Sequence, residues 1–291
     1  MSTSPISSFH LRRYPAITDE EFVKLRDFIY AKCGIWVDVK RKYLFQNRFE
    51  ARLAALGMKS FSEYIKLLQF DPDKDKELAH VFEMVTTNET SFFRDQKQLD
   101  AFNQHILIPA LAAQRARNRL ELNIWSAGCS SGEEPYTLAI MLVETLGPEI
   151  RKWRITITGC DLSAPMIAKA KTGIYSEYAF KTTPEAIRKK YFTQVEGGHK
   201  ITPALSSLVN FQQLNLNDAL AVKRIPKSQV VFCRNVIIYF DVEMKKKVIA
   251  AFYDNLLPGG YLMLGHSETL HGVSMAFTPK FHPGTVAYLK S

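Results

Sequence analysis

The chain has only four cysteines in 291 residues, Cys33, Cys129, Cys160 and Cys233, and no two are spaced as CxxC. That excludes a disulfide scaffold and a cysteine-based zinc site, and it fits a reducing compartment. No run approaches the ~18 consecutive apolar residues needed to span a bilayer. Residues 1–16 lack the apolar centre of a secretory leader. The expectation is therefore a soluble, cytoplasmic protein. The seven histidines show no HExxH spacing, and no GxxxxGK phosphate loop occurs. Zinc hydrolase and P-loop chemistry are thereby set aside. Internal repeats and low-complexity tracts are also missing.

What is present is a core. Hydrophobic residues make up 46% of the chain, enough for one large or two moderate domains. The formal charge is +9, from 38 basic and 29 acidic residues. Such a balance invites an acidic partner, although a solvated basic surface explains it equally well.

Residues 1–16, Ser-rich with Pro5 and Pro15, read as a flexible lead. Thr18 with Glu21 forms a capping-box pattern ahead of a helix over 19–33, whose apolar face is Phe22, Leu25, Phe28 and Ile29. Gly34 stops it. Further helices are expected at about 41–56, from Ser60 or Ser62 to Asp71-Pro72, and at about 75–86. Residues 17–86 thus read as a small all-helical domain, and 87–100 as a linker.

Beyond residue 100 the pattern alternates. Strands are expected at 120–125, 153–160, 208–213, 229–233 and 260–264. Helices are expected at 134–146, 165–171 and 242–257, with a closing hairpin over 277–289. Alternating strands and helices imply an α/β domain with a mainly parallel sheet and right-handed crossovers. Two short strands around Gly197-Gly198, within about 175–209, suggest a small inserted antiparallel β-subdomain.

The segment IWSAGCSSGEEPYTLAI (124–140) reads as a strand entering a glycine loop and then a helix. Gly128 and Gly132 permit close backbone approach to a ligand, and the helix N-terminus faces it. Glu133 and Glu134 stand where a phosphate would be repelled. A neutral or cationic cofactor is the better match, which turns a generic nucleotide fold toward the sulfonium S-adenosylmethionine.

Ligand crevices of parallel sheets form at the carboxyl ends of the strands. Asp161 follows the second strand and suits ribose hydroxyls, or alternatively an N-cap shared with Ser163. Asn215 follows the third strand, and Arg234-Asn235 with Tyr239 the fourth. Their bland alternatives are turn residues, a surface ion pair and a half-buried aromatic. The linker TTNETSFFRD (86–95) is unusually polar, and its Phe92-Phe93 pair offers an anchor that would hold Asn88, Thr90 and Arg94 in place. Arg41, Arg48 and Arg52 fall within about 40° on a helix at 100° per residue. That stripe fits either a solvated face or docking to an acidic helical partner. His266 is read as structural.

Together NETSFFRD (88–95), WSAGCSSGEEPYTLAI (125–140), FCRNVIIYFD (232–241) and LGHSE (264–268) closely resemble the CheR-type chemotaxis receptor glutamate O-methyltransferases. Their order and spacing cover nearly the whole chain. The resemblance implies a class I, Rossmann-like methyltransferase domain behind a helical domain. It also implies methyl transfer from S-adenosylmethionine, leaving S-adenosylhomocysteine, to glutamates on the cytoplasmic helical bundle of chemoreceptors. By the same resemblance Asn88, Thr90 and Arg94 close over the cofactor. Gly128, Glu134, Asp161, Asn215-Leu216 and Arg234-Asn235 bind it, and Arg94 and Tyr239 orient the substrate carboxylate. Receptor docking falls to Arg41, Arg48 and Arg52.

The chemistry suits so sparse a set. A glutamate with an ordinary pKa of ~4.3 is ionised at neutral pH and needs no general base. The sulfonium donor is already activated, so no metal is expected. Some relatives grip a receptor C-terminal pentapeptide with the β-subdomain. Here Tyr191–Val209 is compact, and a tether-independent monomer is expected. Two rival readings stand beside this one. An RNA methyltransferase would be expected to carry basic or aromatic single-strand platforms and, for amine methylation, an Asn/Asp-Pro-Pro-aromatic turn, neither of which is found. A non-catalytic adaptor would have no need to retain Arg94, Asp161, Asn235 and Tyr239.

Overall fold

The computed structural model describes residues 16–291. The expected flexible lead falls almost wholly outside these residues. The described chain divides into two compact units. One comprises the residues up to Tyr30 and Val37–Val85; the other comprises Ala31–Trp36 and Thr86–Ser291.

The first unit is all-helical. Helix α1 (Asp19–Cys33) opens on the expected capping box: the Thr18 amide donates to Glu21 Oε2 at 3.0 Å, and the Glu21 amide donates to Thr18 Oγ1 at 3.1 Å. Phe22, Leu25 and Ile29 are fully buried, whereas Phe28 is only half-buried. Helix α2 (Lys42–Ala55) is preceded by a separate 3-10 turn, Val39–Arg41, capped by Asp38. Helix α3 (Phe61–Phe70) is capped by Ser60, and α4 (Lys74–Val85) closes the unit. An aromatic ladder joins them. Phe22 packs edge-on against Phe45 at 5.4 Å, Phe45 against Phe49 at 4.6 Å, and Phe49 against Tyr64 at 5.8 Å.

Two corrections concern the basic stripe. Arg41 lies in the 3-10 turn, so the 100° spacing does not relate it to Arg48. Arg52 is committed internally: its Nε donates to Glu77 Oε1 at 2.9 Å and its Nη2 donates to Glu77 Oε2 at 2.5 Å. The Tyr64 hydroxyl donates to the same Oε1 at 2.5 Å. The spacing argument saw three cations on a face but not the carboxylate from α4 that neutralises one. Arg48 donates to the Met84 carbonyl at 2.9 Å and remains exposed, as does Arg41.

Glu77 is 6% exposed. Burial pushes its carboxyl up, but the hydrogen bonds from Arg52 and Tyr64 outweigh this, and its net shift is downward from 4.5. A lowered carboxyl stabilises the fold above its unfolded pKa, and that stability is lost as pH falls through the folded value. Glu77→Gln is therefore expected to destabilise the helical unit by about 2–4 kcal/mol at neutral pH. It should also flatten the acid limb of the melting curve between pH 5 and 3, roughly the window of carboxylate titration. A variant melting like the parent at pH 7 would contradict this.

The second unit carries the α/β domain expected from sequence. After the segment 86–95 come α5 (Gln96–Phe102), a π-type turn at Asn103–Leu107, and α6 (Ile108–Ala116). The expected linker to residue 100 is corrected, since its last residues already belong to α5. Leu99, Phe102, Ile106, Leu107 and Leu111 recur at helical spacing and are all buried, a signal the strand-centred reading passed over. Pro109 falls in the first turn of α6, where its missing N–H costs nothing.

The following elements are β1 (Glu121–Ala127), α7 (Glu133–Leu146), β2 (Arg154–Asp161), α8 (Ala164–Thr172), β3 (Ile174–Tyr175), α9 (Glu185–Tyr191), β4 (Phe192–Val195), β5 (Gly198–Ile201), α10 (Pro203–Ser206), β6 (Val209–Gln213), α11 (Ala219–Lys223), β7 (Ser228–Cys233), α12 (Val242–Asn255), β8 (Leu256–Leu264), β9 (Phe277–His282) and β10 (Thr285–Lys290). The main sheet has the order β6-β2-β1-β7-β8-β10-β9. Its pairs from β6 to β8 are parallel, and the closing hairpin β9–β10 adds antiparallel pairs. Strand β8 begins earlier than expected because Pro258 and Gly259-Gly260 sit inside it, next to a register shift against β7. A Cβ on Gly260 would lie 2.8 Å from the Gln229 carbonyl oxygen, so glycine admits that close approach.

The inserted subdomain is a three-stranded antiparallel sheet of order β3-β5-β4. The expected pair around Gly197-Gly198 is β4 and β5. The third strand is only two residues long, too short to show a period.

Candidate functional site

The carboxyl ends of β1, β2, β6 and β7 open onto one cleft. It is lined by Asn88, Thr90, Arg94, Gly128, Glu134 and Asp161, and by Asn215, Leu216, Arg234, Asn235 and Tyr239. Every residue expected to bind cofactor or substrate carboxylate is thus gathered in one place. Arg41, Arg48 and Arg52 belong to the helical unit, separate from the unit that carries the cleft. His266 is exposed and also lies outside it.

The glycine loop after β1 is tied down by its own backbone. The amides of Gly128 and Cys129 both donate to the Cys160 carbonyl, at 2.7 and 2.9 Å. The Ser130 amide donates to Asp161 Oδ2 at 2.7 Å, and the Ser163 amide donates to Oδ1 at 2.9 Å. Ser163, with its side chain accepting from the Met166 amide, caps α8. Asp161 is therefore not a helix cap. It organises the loop and presents a buried carboxylate to the cleft. Burial pushes that carboxyl above 3.8 despite its backbone donors.

The glycines also serve the packing of the loop. Gly128 (φ +76°) and Gly132 (φ +93°) adopt left-handed backbone, but the space beside them is filled by protein. A Cβ on Gly128 would meet Val236 Cγ2 at 2.3 Å. On Gly132 it would meet Ala170 Cβ at 2.8 Å. These glycines permit close packing of the loop against neighbouring segments, and Gly128 also lines the cleft. Ser130, which has a Cβ, is also held at φ +49°. Such strain in a non-glycine residue concentrates at functional sites.

The two glutamates after the loop diverge. Glu133 is 2% exposed, accepts from the Ser131 hydroxyl and does not reach the cleft; burial raises its pKa. Only Glu134 faces the cleft. Its Oε1 accepts from the Ser126 hydroxyl at 2.7 Å and its Oε2 from Arg234 Nη1 at 3.1 Å. The argument against a bound phosphate therefore rests on Glu134 alone.

Arg234 is a brace. Its Nη2 donates to the Arg94 carbonyl at 2.8 Å, joining β7 to the segment 88–95. Its Nε is buried and has no hydrogen-bond partner among the described residues. The surface-ion-pair alternative is excluded, because its side chain is only 5% exposed.

The strap 88–94 is anchored as Phe92-Phe93 implied. Phe92 is fully buried among Tyr175, Phe180 and Phe192, with ring centroids at 4.8, 5.1 and 4.9 Å. Its amide donates to the Ala179 carbonyl at 2.9 Å, and the Phe93 amide donates to Thr137 Oγ1 at 3.1 Å. The Asn88 carbonyl accepts from the Ser130 hydroxyl at 3.2 Å, and Arg94 Nη1 donates to the Glu89 carbonyl at 2.9 Å. The remaining face of the Arg94 guanidinium looks to the cleft.

Three contributors were not legible in the sequence. Cys33 and Ile35 line the cleft, brought there because Ala31–Trp36 packs with the second unit instead of the helical one. Ile35 bridges to Phe240, the Trp36 amide donates to the Tyr239 carbonyl at 2.9 Å, and Asn215 Nδ2 donates to the Lys32 carbonyl at 2.7 Å. Gly34 (φ +76°) does more than end α1, since a Cβ there would meet the Met244 side chain at 2.6 Å. The third contributor is Glu268, which grips the turn after β7; the LGHSE motif was its only sequence signal.

Of the cleft cysteines, burial raises Cys33 and Cys160 to about 12 and pushes the Cys129 thiol well above its ordinary value. None is a thiolate nucleophile at neutral pH. What remains is a set of acceptors, Asp161, Glu134 and the asparagines, beside apolar Ile35, Leu162, Leu214, Leu216 and Val236. A cationic side chain is supplied by Arg94. This set fits S-adenosylmethionine: acceptors for ribose hydroxyls and an ammonium, apolar walls for a base, and a guanidinium end for a carboxylate.

Comparisons with known proteins agree. Residues 88–284 match the family described as CheR methyltransferase, SAM binding domain, and residues 20–86 match CheR methyltransferase, all-alpha domain. Chemotaxis protein methyltransferase 2 of Vibrio cholerae serotype O1 is 34% identical, covering 94% of this chain and 94% of its own. The chemotaxis protein methyltransferase of Borreliella burgdorferi is 35% identical over 88% of this chain and 90% of its own. Chemotaxis protein methyltransferase 1 of Pseudomonas aeruginosa is 35% identical over 87% and 91%. With both domain descriptions matched in order and the expected cleft assembled, the chain belongs to the CheR methyltransferase family and carries its S-adenosylmethionine-binding domain.

Proposed function

We propose that this protein transfers a methyl group from S-adenosylmethionine to glutamate side chains on the cytoplasmic helical bundle of chemoreceptors, forming γ-methyl esters that set chemotactic adaptation. The observation that carries this reading is the cleft itself. It holds the carboxylates of Asp161 and Glu134 together with Arg94 and Tyr239.

S-adenosylmethionine, when bound, supplies a methyl group already activated by its sulfonium. The residues of this chain must then hold, orient and exclude water. Asp161 is assigned to the ribose, and Glu134, Asn215, Leu216, Arg234 and Asn235 to the rest of the cofactor. Gly128 shapes the floor, and Asn88 and Thr90 close over it from the strap. Arg94 and Tyr239 hold the incoming carboxylate, Arg94 by a charge-assisted hydrogen bond to one oxygen while the other attacks. In-line alignment and removal of water from that carboxylate are the main demands of the step.

Arg41 and Arg48, both exposed, are assigned to docking an acidic helical surface. No helix among the described residues is long and apolar enough to cross a membrane, so receptor arrays would be reached from outside the bilayer. The protein is taken to act as a monomer, without metal and without a pentapeptide tether.

The test is transfer of radiolabelled methyl to receptor-containing membranes, with intact receptors and with receptors lacking their last five residues. Base-labile label of equal extent on both is expected. No base-labile label would end the main reading, and label only on intact receptors would end tether independence.

A further inference from the structure

The turn after β7 holds Asn235, Val236 and Tyr239 against the cleft, yet little in the turn stabilises itself. Asn235 is in left-handed backbone at φ +60°. Its own internal bonds are short-range, Tyr239 amide to Val236 carbonyl at 3.2 Å and Phe240 amide to Ile237 carbonyl at 3.2 Å. The amides of Asn235, Val236 and Ile238 would otherwise be orphans.

All three donate to one side chain from another part of the chain. Glu268 Oε2 accepts from the Asn235 amide at 2.8 Å and from the Gly265 amide at 2.7 Å. Oε1 accepts from the Val236 amide at 2.9 Å and the Ile238 amide at 3.3 Å. Glu268 is 9% exposed. No lysine, arginine or histidine among the described residues pairs with it, so its charge is balanced by amide dipoles alone. The geometry is tight: a Cβ on Gly265 would fall 2.7 Å from Glu268 Oε2 and 2.9 Å from the Asn235 amide nitrogen. Glu268 itself does not line the cleft.

We infer that Glu268 is a positioning residue for methyl transfer, its carboxylate gathering the amides of the 235–238 turn so that Asn235 and Tyr239 meet cofactor and substrate in register. The inference rests on the reading of the cleft as the methyl-transfer site. Glutamine is nearly isosteric but sets an NH2 group against two of the four amides, so it keeps the bulk and breaks the clamp. A glutamate kept only for packing would tolerate that change.

The experiment compares Glu268→Gln with the parent in melting temperature, S-adenosylmethionine affinity by calorimetry, and kcat and KM for receptor. The expected result is a folded variant with kcat lower by about tenfold or more and KM for receptor within about twofold, because docking lies elsewhere. Cofactor affinity should weaken in parallel with kcat. A folded variant with unchanged kcat and affinity overturns the inference. So does one whose kcat falls only in proportion to its unfolded fraction.

If the variant does not fold, hydrogen exchange on the parent decides. The amides of Asn235, Val236 and Ile238 must be protected despite lying in a turn, and the Glu268→Asp variant, whose shorter side chain releases them, must lose both that protection and kcat. Free exchange of these amides in the parent overturns the inference. Exchange is read without turnover, so a failed clamp and a protein that transfers no methyl group give different results.

Discussion

Arg94→Ala is expected to lower methyl transfer to receptors by about 10²–10³-fold, the scale of removing one charge-assisted group that acts on the reacting atoms. Arg94 is half-buried on the strap and donates to the Glu89 carbonyl, which aims its guanidinium at the cleft. Its main-chain carbonyl is held independently by Arg234. The strap is pinned further by Phe92 in its aromatic cage. Truncating the Arg94 side chain therefore leaves the strap in place and removes only the cation that meets the substrate. Single-turnover rates at saturating S-adenosylmethionine isolate the chemical step. Melting temperature should move little, since the lost hydrogen bond contributes about 1 kcal/mol. Near-normal turnover would remove Arg94 from the mechanism. A pairing that is too strong would quench the nucleophile, so Arg94→Lys should restore only part of the rate, because lysine lacks the planar fork.

The second large effect is expected at Asp161. Asp161→Ala should weaken S-adenosylmethionine binding by about a hundredfold or more, the loss of two charge-assisted hydrogen bonds to ligand hydroxyls at roughly 1.5 kcal/mol or more each. The stability change is smaller because two effects oppose. The amides of Ser130 and Ser163 lose their acceptor, while a buried charge disappears. Burial raises the Asp161 carboxyl above 3.8. A raised acid favours the fold below its pKa and disfavours it above, so at neutral pH this carboxylate is retained against its own stability. That is the behaviour of a group kept for a ligand. Cofactor affinity of the parent should accordingly fall as pH drops through the raised Asp161 value, whereas protonating Asp161 does not by itself unfold the protein. Calorimetry carried downward from pH 7 reads that loss. Affinity unchanged in the alanine variant would refute the ribose assignment.

The two acids treated most differently by the fold, Glu77 and Asp161, look alike in sequence. Glu77 is held below its ordinary value by Arg52 and Tyr64, and Asp161 is pushed above it by burial with only amide donors. Spacing along a helix reveals neither environment. For the same reason the basic stripe was misread at Arg52. A periodic pattern shows which residues share a face, but not what another helix brings to that face.

Local order alone determined the small all-helical unit, the alternation of strands and helices, and the hairpin that closes the sheet. It also determined the strand-end positions of Asp161, Asn215 and Arg234. Each follows from period, capping residues and the rule that parallel strands place their carboxyl ends together. The strap's anchorage was legible too, because two adjacent phenylalanines in a polar segment must be buried somewhere.

Only the tertiary structure decided how the glycines are used, which of Glu133 and Glu134 meets the cleft, and that Cys33 and Ile35 join it. It alone showed Arg234 as a brace and Glu268 as a clamp on a distant turn. These contacts join residues from about 30 to about 140 positions apart. Hydrogen bonds between such residues depend on where packing sets each backbone to within an ångström, and no local pattern of residue types encodes that distance.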